Sequence, residues 1–401
     1  MFTYQFKLLP SKETQSLLWK HANRLNWLYN RFLNERIENY SARKVDNSVK
    51  LITSYDQSKQ LPILKSQKEF KDLKGINAQV IQAVIKRLDK AYKAFFSRCK
   101  KKSTPGFPKF RSCKDFFGLL YPQNGYKIKD NFFVTKNYGK IKFNKNREIL
   151  GKIKQVYISN KNNVFHISIV TDHSYTTTER NSNVLAIDLG LNNLVVGKDN
   201  TGQIITIKNV GHAKHYRKKI SKLQSIKDKL PSQKTDGKIK RSRKHKKLSQ
   251  KIQRLYELKN RKINDFQHKV SHRLSHQYDT IIVEDLSVKK MSESNITSLN
   301  RNIRDAKLGQ FLTFLGYKTH SLIAVNPYNT SKTCNRCGHV NKNLKLSDRQ
   351  IKCPVCGHEY DRDENAAENI YCLGQAILDC YDQGSVTRMT INDLIPVEAS
   401  Y

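Results

Sequence analysis

Residues 184–207 read VLAIDLGLNNLVVGKDNTGQIITI, and the reading of this stretch decides the fold. Val184 to Ile187 is a short β-branched run closed by Asp188. A second apolar run, Leu194 to Val196, is followed by the turn Asp199-Asn200-Thr201-Gly202 and a third run, Ile204 to Ile207. Apolar runs of this length, bounded by turn residues, predict an antiparallel three-stranded start. Working outward, a later run, Ile281 to Val283 within DTIIVEDLSV, closes on Glu284, and Asp363 in YDRDENAAENI opens a helix. A carboxylate at a strand end is held rigidly.

Taken singly, each acid is an ordinary turn former. Their order is more informative, because a three-stranded start, a later strand ending in an acid and an acid opening a helix match the succession of an RNase H-like (RuvC-type) nuclease fold. Three carboxylates converging at one sheet edge could hold two divalent cations about 3.5–4 Å apart, one activating water and the other stabilising the leaving oxygen of a phosphodiester. Asp188, Glu284 and Asp363 are therefore the candidate catalytic and Mg²⁺-binding residues.

Charge points to a polyanionic partner without reference to that site. The chain has 401 residues, with 74 Lys and Arg against 34 Asp and Glu, a formal charge of +40. The sequence pI is about 9.9, in the range of a nucleic-acid-binding footprint. No apolar run approaches the roughly 18 residues that a spanning helix needs. The N-terminal MFTYQFKLLP lacks the charged and apolar regions of a secretory signal, so a cytoplasmic protein without a membrane partner is expected.

The pattern along the chain sets expected boundaries. Phe2, Tyr4, Phe6 and Leu8 alternate as one face of a strand, and Pro10-Ser11 ends it and offers an N-cap. Leu18, Leu25, Leu28, Tyr29 and Phe32 then follow helical spacing, with a polar break over 47–58 and a second strong helix from Asn77 to Phe96. Pro105-Gly106-Phe107-Pro108 is a turn cluster, after which short alternating runs predict a small β-domain that the first strand could join. The expected organisation is 1–10 first strand, 11–103 helical domain, 104–180 β-domain, 181–329 nuclease-type domain, 330–360 metal ribbon, 361–385 return to the nuclease-type domain and 386–401 a tail. The fold class is α/β plus β.

Between Lys214 and Lys262 twenty Lys or Arg face three acids, interrupted by Pro231 and Gly237, which predicts a basic helical hairpin within 211–279. A run of one sign repels itself unless a phosphate backbone lies against it. Lys218, Lys219, Arg241, Arg243, Lys244, Lys246 and Lys247 are the candidate nucleic-acid contacts; a solvated helical face is the alternative.

Cys334-Asn-Arg-Cys337 and Cys353-Pro-Val-Cys356 are two C-x-x-C knuckles separated by fifteen residues, each followed by Gly and His. This is zinc-ribbon spacing. Four thiolates satisfy tetrahedral Zn²⁺ and leave no open position, so the metal would be structural. Cys99, Cys113, Cys372 and Cys380 share no such pattern and are expected as reduced thiols.

The ribbon lies between the second and third acids, and in that arrangement the chain resembles the TnpB (OrfB) family of insertion-sequence proteins, which are similar to type V CRISPR effectors. The residues that carry the resemblance include Lys7-Leu8-Leu9-Pro10, Arg87-Leu88-Asp89-Lys90, Pro105-Gly106-Phe107-Pro108-Lys109-Phe110, Ile187-Asp188-Leu189-Gly190, Asp265-Phe266 with His268-Lys269, Val283-Glu284-Asp285-Leu286, Thr330-Ser331 before the ribbon and Asp361-Arg362-Asp363-Glu364-Asn365-Ala366-Ala367 after it. The resemblance implies an RNA-guided, Mg²⁺-dependent DNA endonuclease that binds a non-coding guide RNA and target double-stranded DNA as a monomer. It also implies wedge and recognition lobes in the N-terminal half. It favours Glu284 over Asp285 and Asp363 over Asp361, which is left as a turn or cap. Two other functions remain open: a DNA-only transposase or resolvase, and a nuclease-dead RNA-guided repressor, whose hallmark would be loss of one of the three acids.

Overall fold

The computed structural model describes residues 2–102, 104–112, 118–173, 182–235, 238–287, 291, 293, 296–345 and 348–382. Cys113, Gly237 and the tail from 386 onward lie outside the described residues, and so does the side chain of Cys380. The chain forms two compact units, Met1–Ser174 and Tyr175–Tyr401. No helix among the described residues is long and apolar enough to cross a membrane.

In the first unit, strand β1 (Phe2–Leu9) buries Tyr4, Phe6 and Leu8 at alternate positions. The chain then leaves for three helices, α1 (Lys12–Val45), α2 (Ser54–Ser66) and α3 (Ala78–Lys100), before it returns as β2 (Gly118–Tyr121), β3 (Lys127–Lys129), β4 (Phe132–Thr135), β5 (Gly139–Phe143), β6 (Ile153–Lys161) and β7 (Val164–Thr171). All seven strands pair antiparallel in the order β2-β6-β7-β1-β5-β4-β3. The first strand thus lies in the middle of a sheet whose other members follow the helices.

The Ser11 hydroxyl caps α1 by accepting from the Thr14 amide at 3.1 Å, and Leu18, Leu25, Leu28, Tyr29 and Phe32 are buried. The polar break ends sooner than the sequence suggests. Thr53 and Asp56 form a reciprocal capping box and start α2 at Ser54, so polar residues that resemble a loop are helix-starting chemistry.

The second unit is built on a five-stranded mixed sheet. Its strands are β8 (Val184–Asp188), β9 (Asn193–Asp199), β10 (Ile204–Lys208), β13 (Thr280–Glu284) and β14 (Ser321–Val325), in the order β10-β9-β8-β13-β14. β8, β13 and β14 run parallel, and β9 alone opposes its neighbours. Between β10 and β13 come α4 (His212–Asp228), a two-stranded ribbon of β11 (Ser232–Thr235) and β12 (Lys238–Arg241), and α5 (Arg243–Gln277). This two-stranded ribbon joins α4 to α5, and Ser242 caps α5 by accepting from the His245 amide at 3.1 Å.

Helices α6 (Thr297–Ala306) and α7 (Leu308–Lys318) lead to β14, and α8 (Arg362–Asp382) closes the fold. One face of the sheet, carrying Leu185, Ile187, Ile281 and Val283, packs on Val270 and Leu274 of α5 and Phe311 and Leu315 of α7. Ala186, Ile282 and Val325 point to the other face and pack on Ile370 of α8.

Helix α8 approaches β13 closely. A Cβ at Gly374 would meet three Ile282 side-chain carbons at 2.4–2.8 Å. Overpacking of this kind costs about 1–3 kcal/mol. Gly374→Val is expected to destabilise the protein by that amount in chemical denaturation, with Ile282→Ala restoring part of the loss in the double variant; additive losses would mean that the two positions do not press on each other.

Candidate active site and metal centre

Strand alternation and register place the acids. Val283 is aligned with Ile187 across the parallel β13–β8 pair, and both point to the α5/α7 face. The next residue on each strand, Glu284 and Asp188, therefore turns to the α8 face. Asp285 is exposed, and its amide continues the ladder by donating to the Val325 carbonyl at 2.8 Å.

Asp363 is the second residue of α8. Asp361 caps that helix, its Oδ1 accepting from the amides of Asp363 at 2.8 Å and Glu364 at 3.2 Å. Buried Ala366 and Ala367 let this first turn lie against the sheet. Asp188, Glu284 and Asp363 line one cavity of about 670 Å³ together with Thr330, Arg349 and Arg362.

The electrostatics follow from this crowding. Burial, with the charges of Glu284 and Asp363 adding to it, pushes the Asp188 carboxyl up to about 7. Burial also raises Glu284, against the opposing effect of the Thr330 hydroxyl, which donates to Glu284 Oε1. Asp363 is gripped by Arg349, whose Nη1 lies 2.6 and 2.7 Å from its two oxygens, and by Arg362 at 3.2 Å.

A group with a raised pKa binds its proton more tightly folded than unfolded, so metal-free stability falls as pH climbs from about 4 through 7. Asp188→Asn removes the part of that dependence that Asp188 contributes, while Glu284 keeps its own. The variant's melting temperature should exceed that of the metal-free wild type at pH 8, with the gap closing towards pH 4. A constant gap would place the repulsion elsewhere.

The four cysteines form a separate centre. β15 (Gln350–Lys352) and β16 (Glu359–Asp361) pair beside two knuckles. In each knuckle a Gly with positive φ, Gly338 at 76° or Gly357 at 68°, turns the chain so that its amide donates to the carbonyl of Cys334 or Cys353. Cys334 Sγ lies 3.8 Å from Cys356 Sγ, and Cys337 Sγ lies 3.6 Å from Cys353 Sγ.

A tetrahedron with Zn–S near 2.3 Å has edges of about 3.8 Å, so the donor set fits Zn²⁺. Backbone amides led by that of Cys356 pull the Cys353 thiol down to about 6, towards the thiolate that a metal requires. Among the described residues, these cysteines are the one group of three or more His, Cys, Asp or Glu whose ligand atoms all lie within 4.8 Å of one another. The three carboxylates surround their cavity more widely, and Asp363 is turned to Arg349.

The seven basic candidates lie apart from that cavity's lining. Lys218 and Lys219 on α4, Arg241 at the end of the ribbon, and Arg243, Lys244, Lys246 and Lys247 on α5 are all exposed.

Three features of the site carry no sequence signal that assigns them a role. Arg349 reaches Asp363 from between the two knuckles and is one of 74 basic residues. Thr330 anchors Glu284. The amides of Asn365 and Asn369 donate to the Thr333 carbonyl, each at 2.8 Å, while Asn365 Oδ1 accepts from the Asn335 amide at 2.9 Å, tying α8 to the entrance of the ribbon.

These features define a basic two-unit α/β protein in which a four-cysteine centre fitting zinc is spliced in just before the helix that completes a carboxylate-lined cavity. The chain is similar to proteins of the TnpB (OrfB) family. A family model described as a probable transposase matches residues 165–295, one described as a Cas12f1-like TNB domain matches 309–370, and one described as a helix-turn-helix domain matches 1–44. In the last region the structure has one strand and a single 34-residue helix.

The chain is 28% identical over 397 residues to the putative RNA-guided DNA endonuclease InsQ of Escherichia coli, covering 94% of this chain and 93% of that protein. It is 24% identical over 389 residues to a putative RNA-guided DNA endonuclease of Streptomyces pristinaespiralis, covering 94% and 90%. Among solved structures, the mini-RNA-guided endonuclease CRISPR-Cas_phi3 aligns with a TM-score of 0.49 at 11% identity, over 93% of this chain and 92% of that one.

Proposed function

We propose that this protein is an RNA-guided DNA endonuclease of an insertion sequence, cutting target DNA beside a short recognition motif by Mg²⁺-dependent phosphodiester hydrolysis. The observation that carries the reading is the convergence of Asp188, Glu284 and Asp363, from three distant segments, around one cavity. A sheet in which only the second strand runs against the rest supports an RNase H-like (RuvC-type) fold for the second unit. The two relatives that match nearly end to end, both named as putative RNA-guided DNA endonucleases, support the reaction class.

Asp188, Glu284 and Asp363 would hold the Mg²⁺, which when bound supplies an activated water and stabilises the leaving oxygen. Thr330 fixes the rotamer of Glu284 by donating to one of its oxygens. Arg349 and Arg362 balance the charge of Asp363. Arg349 lines the cavity beside Asp363, and its guanidinium would be able to pair with a phosphate there. The exposed cations of the hairpin would track a nucleic-acid backbone, and the first unit would serve as the wedge and recognition region for guide RNA and target duplex.

The test is to express the protein with its native flanking locus and sequence the nucleic acid that co-purifies. A discrete non-coding RNA with a structured body and one exposed end is expected, and it provides the guide for a cleavage assay. Heterogeneous host RNA, or DNA alone, would overturn the RNA-guided reading in favour of a DNA-only transposase or resolvase.

A further inference from the structure

A cluster of aromatic rings in the first unit lies open to solvent. Phe95 and Tyr92 on α3 each meet Phe107 edge-on, with centroids 5.2 and 5.7 Å apart, and Phe96 packs beside them at 5.2 Å from Phe95 and 6.2 Å from Tyr92. Phe96 is 47% exposed, Phe107 39% and Phe110 56%. Phe96 and Phe107 share the rings of Tyr92 and Phe95, and Phe110 follows Phe107 three residues along the same loop, so exposed rings are gathered here beyond the scattered apolar side chains that any surface carries.

The loop bearing two of them is held in place. Arg98 Nη2 donates to the Gly106 carbonyl at 3.0 Å, and Asn30 clamps Arg111 from both sides, its amide nitrogen donating to the Arg111 carbonyl and its oxygen accepting from the Arg111 amide, both at 2.9 Å. Pro108 is buried beneath the loop. The rings are thus displayed on a fixed backbone.

Charge identifies the occupant. Lys100, Lys101, Lys109 and Arg111 are exposed at the end of the helix and on the loop that bear the rings. The nearby acid, Asp89, is already engaged by Arg36 at 3.5 Å and Lys93 at 3.0 Å. An apolar protein partner has no use for such cations, and a duplex hides its base faces. Rings that can stack, on the same helix and loop as cations that can hold phosphates, suit unpaired nucleotides.

We propose that Phe96, Phe107 and Phe110 form a stacking platform for single-stranded RNA, a subsite separate from the hairpin cations and from the carboxylate cavity. It rests on the reading of the protein as RNA-binding and adds where an unpaired stretch of that RNA is held. Stacking on one such ring contributes roughly fivefold to 100-fold in affinity per base and tolerates any sequence.

The experiment measures binding of a fluorescent twelve-nucleotide oligouridine, and of the same strand with abasic sites, to the full chain at several salt concentrations. Variants are Phe96→Ser/Phe110→Ser, which spares the Phe107 packing, and the triple variant that adds Phe107→Ser. The double variant should keep the wild-type melting temperature and lose tenfold or more for oligouridine. Its salt slope should be unchanged, and it should differ from wild type by less than twofold on the abasic strand. Equal affinity of wild type and double variant for oligouridine would overturn the platform. So would an equal loss on the abasic strand, or a patch whose substitution changes only self-association of the protein. Guided DNA cutting is read separately, so a failed platform with cutting retained is distinguishable from failure of the functional reading.

Discussion

Asp188→Ala is expected to lower guided DNA cleavage by at least about 10³-fold, the scale seen when one member of a catalytic set that acts as a unit is removed. Affinity for guide RNA and target should change by less than about threefold. Asp188 is the strongest choice because it is the most deeply engaged acid of the cavity: burial raises its pKa first, and the charges of both Glu284 and Asp363 add to the rise. It ends β8, an inner strand flanked by β9 and β13, so its backbone cannot shift to bring a substitute oxygen into place. The exposed cations of the hairpin are distant in sequence and are not part of the cavity, so binding has no reason to follow. The stability argument supplies a control. Because burial of a charged Asp188, with the charges of Glu284 and Asp363 adding to it, opposes folding above pH 7, removing this acid should leave the metal-free protein at least as stable as wild type, and loss of cutting could not then be assigned to unfolding. Wild-type cutting by the variant would remove Asp188 from the active site.

Much of this arrangement is legible in the sequence because strand ends and metal knuckles obey short-range rules. VLAID and TIIVE are apolar runs that end abruptly on an acid, and alternation along each run fixes the face on which Asp188 and Glu284 fall. The knuckles at Cys334 and Cys353 each carry a Gly four residues beyond the first thiol, and Gly338 and Gly357 adopt the positive φ that such a turn requires. What escaped the sequence depends on long-range contacts between ordinary residues. Arg349 is one arginine among many until the ribbon folds back and puts it on Asp363. Thr330 is a loop residue until Glu284 is beside it. The break after α1 is shorter than its composition suggests for a local reason: Thr53 and Asp56 are loop-like in composition, and only their reciprocal bonds turn them into the start of α2.

The ribbon is the second place where one substitution should have a large effect, and the effect should reach beyond the ribbon. Cys334→Ser removes one of four thiolates, and a hydroxyl is a poor replacement for a zinc ligand, so bound zinc should fall from near one equivalent towards zero. A module this small, with a core of Cys334, Ile351, Cys353 and Tyr360, has little else to hold it together. Its loss would free segment 330–335 from Asn365 and Asn369, take the Thr330 hydroxyl from Glu284, and withdraw Arg349 from Asp363. Two of the three carboxylates would lose their positioning partners without being touched by the substitution. We therefore expect cleavage to fall at least about 100-fold, the upper end of what loss of supporting contacts around a metal site costs. Oligouridine binding, proposed for exposed rings of the first unit, should persist because that unit has a core of its own. Unchanged zinc content in the Cys334→Ser protein would count against the four-thiolate site. Zinc lost with full cleavage retained would sever the ribbon from the carboxylates, and the contacts through Thr330 and Arg349 would then be packing alone.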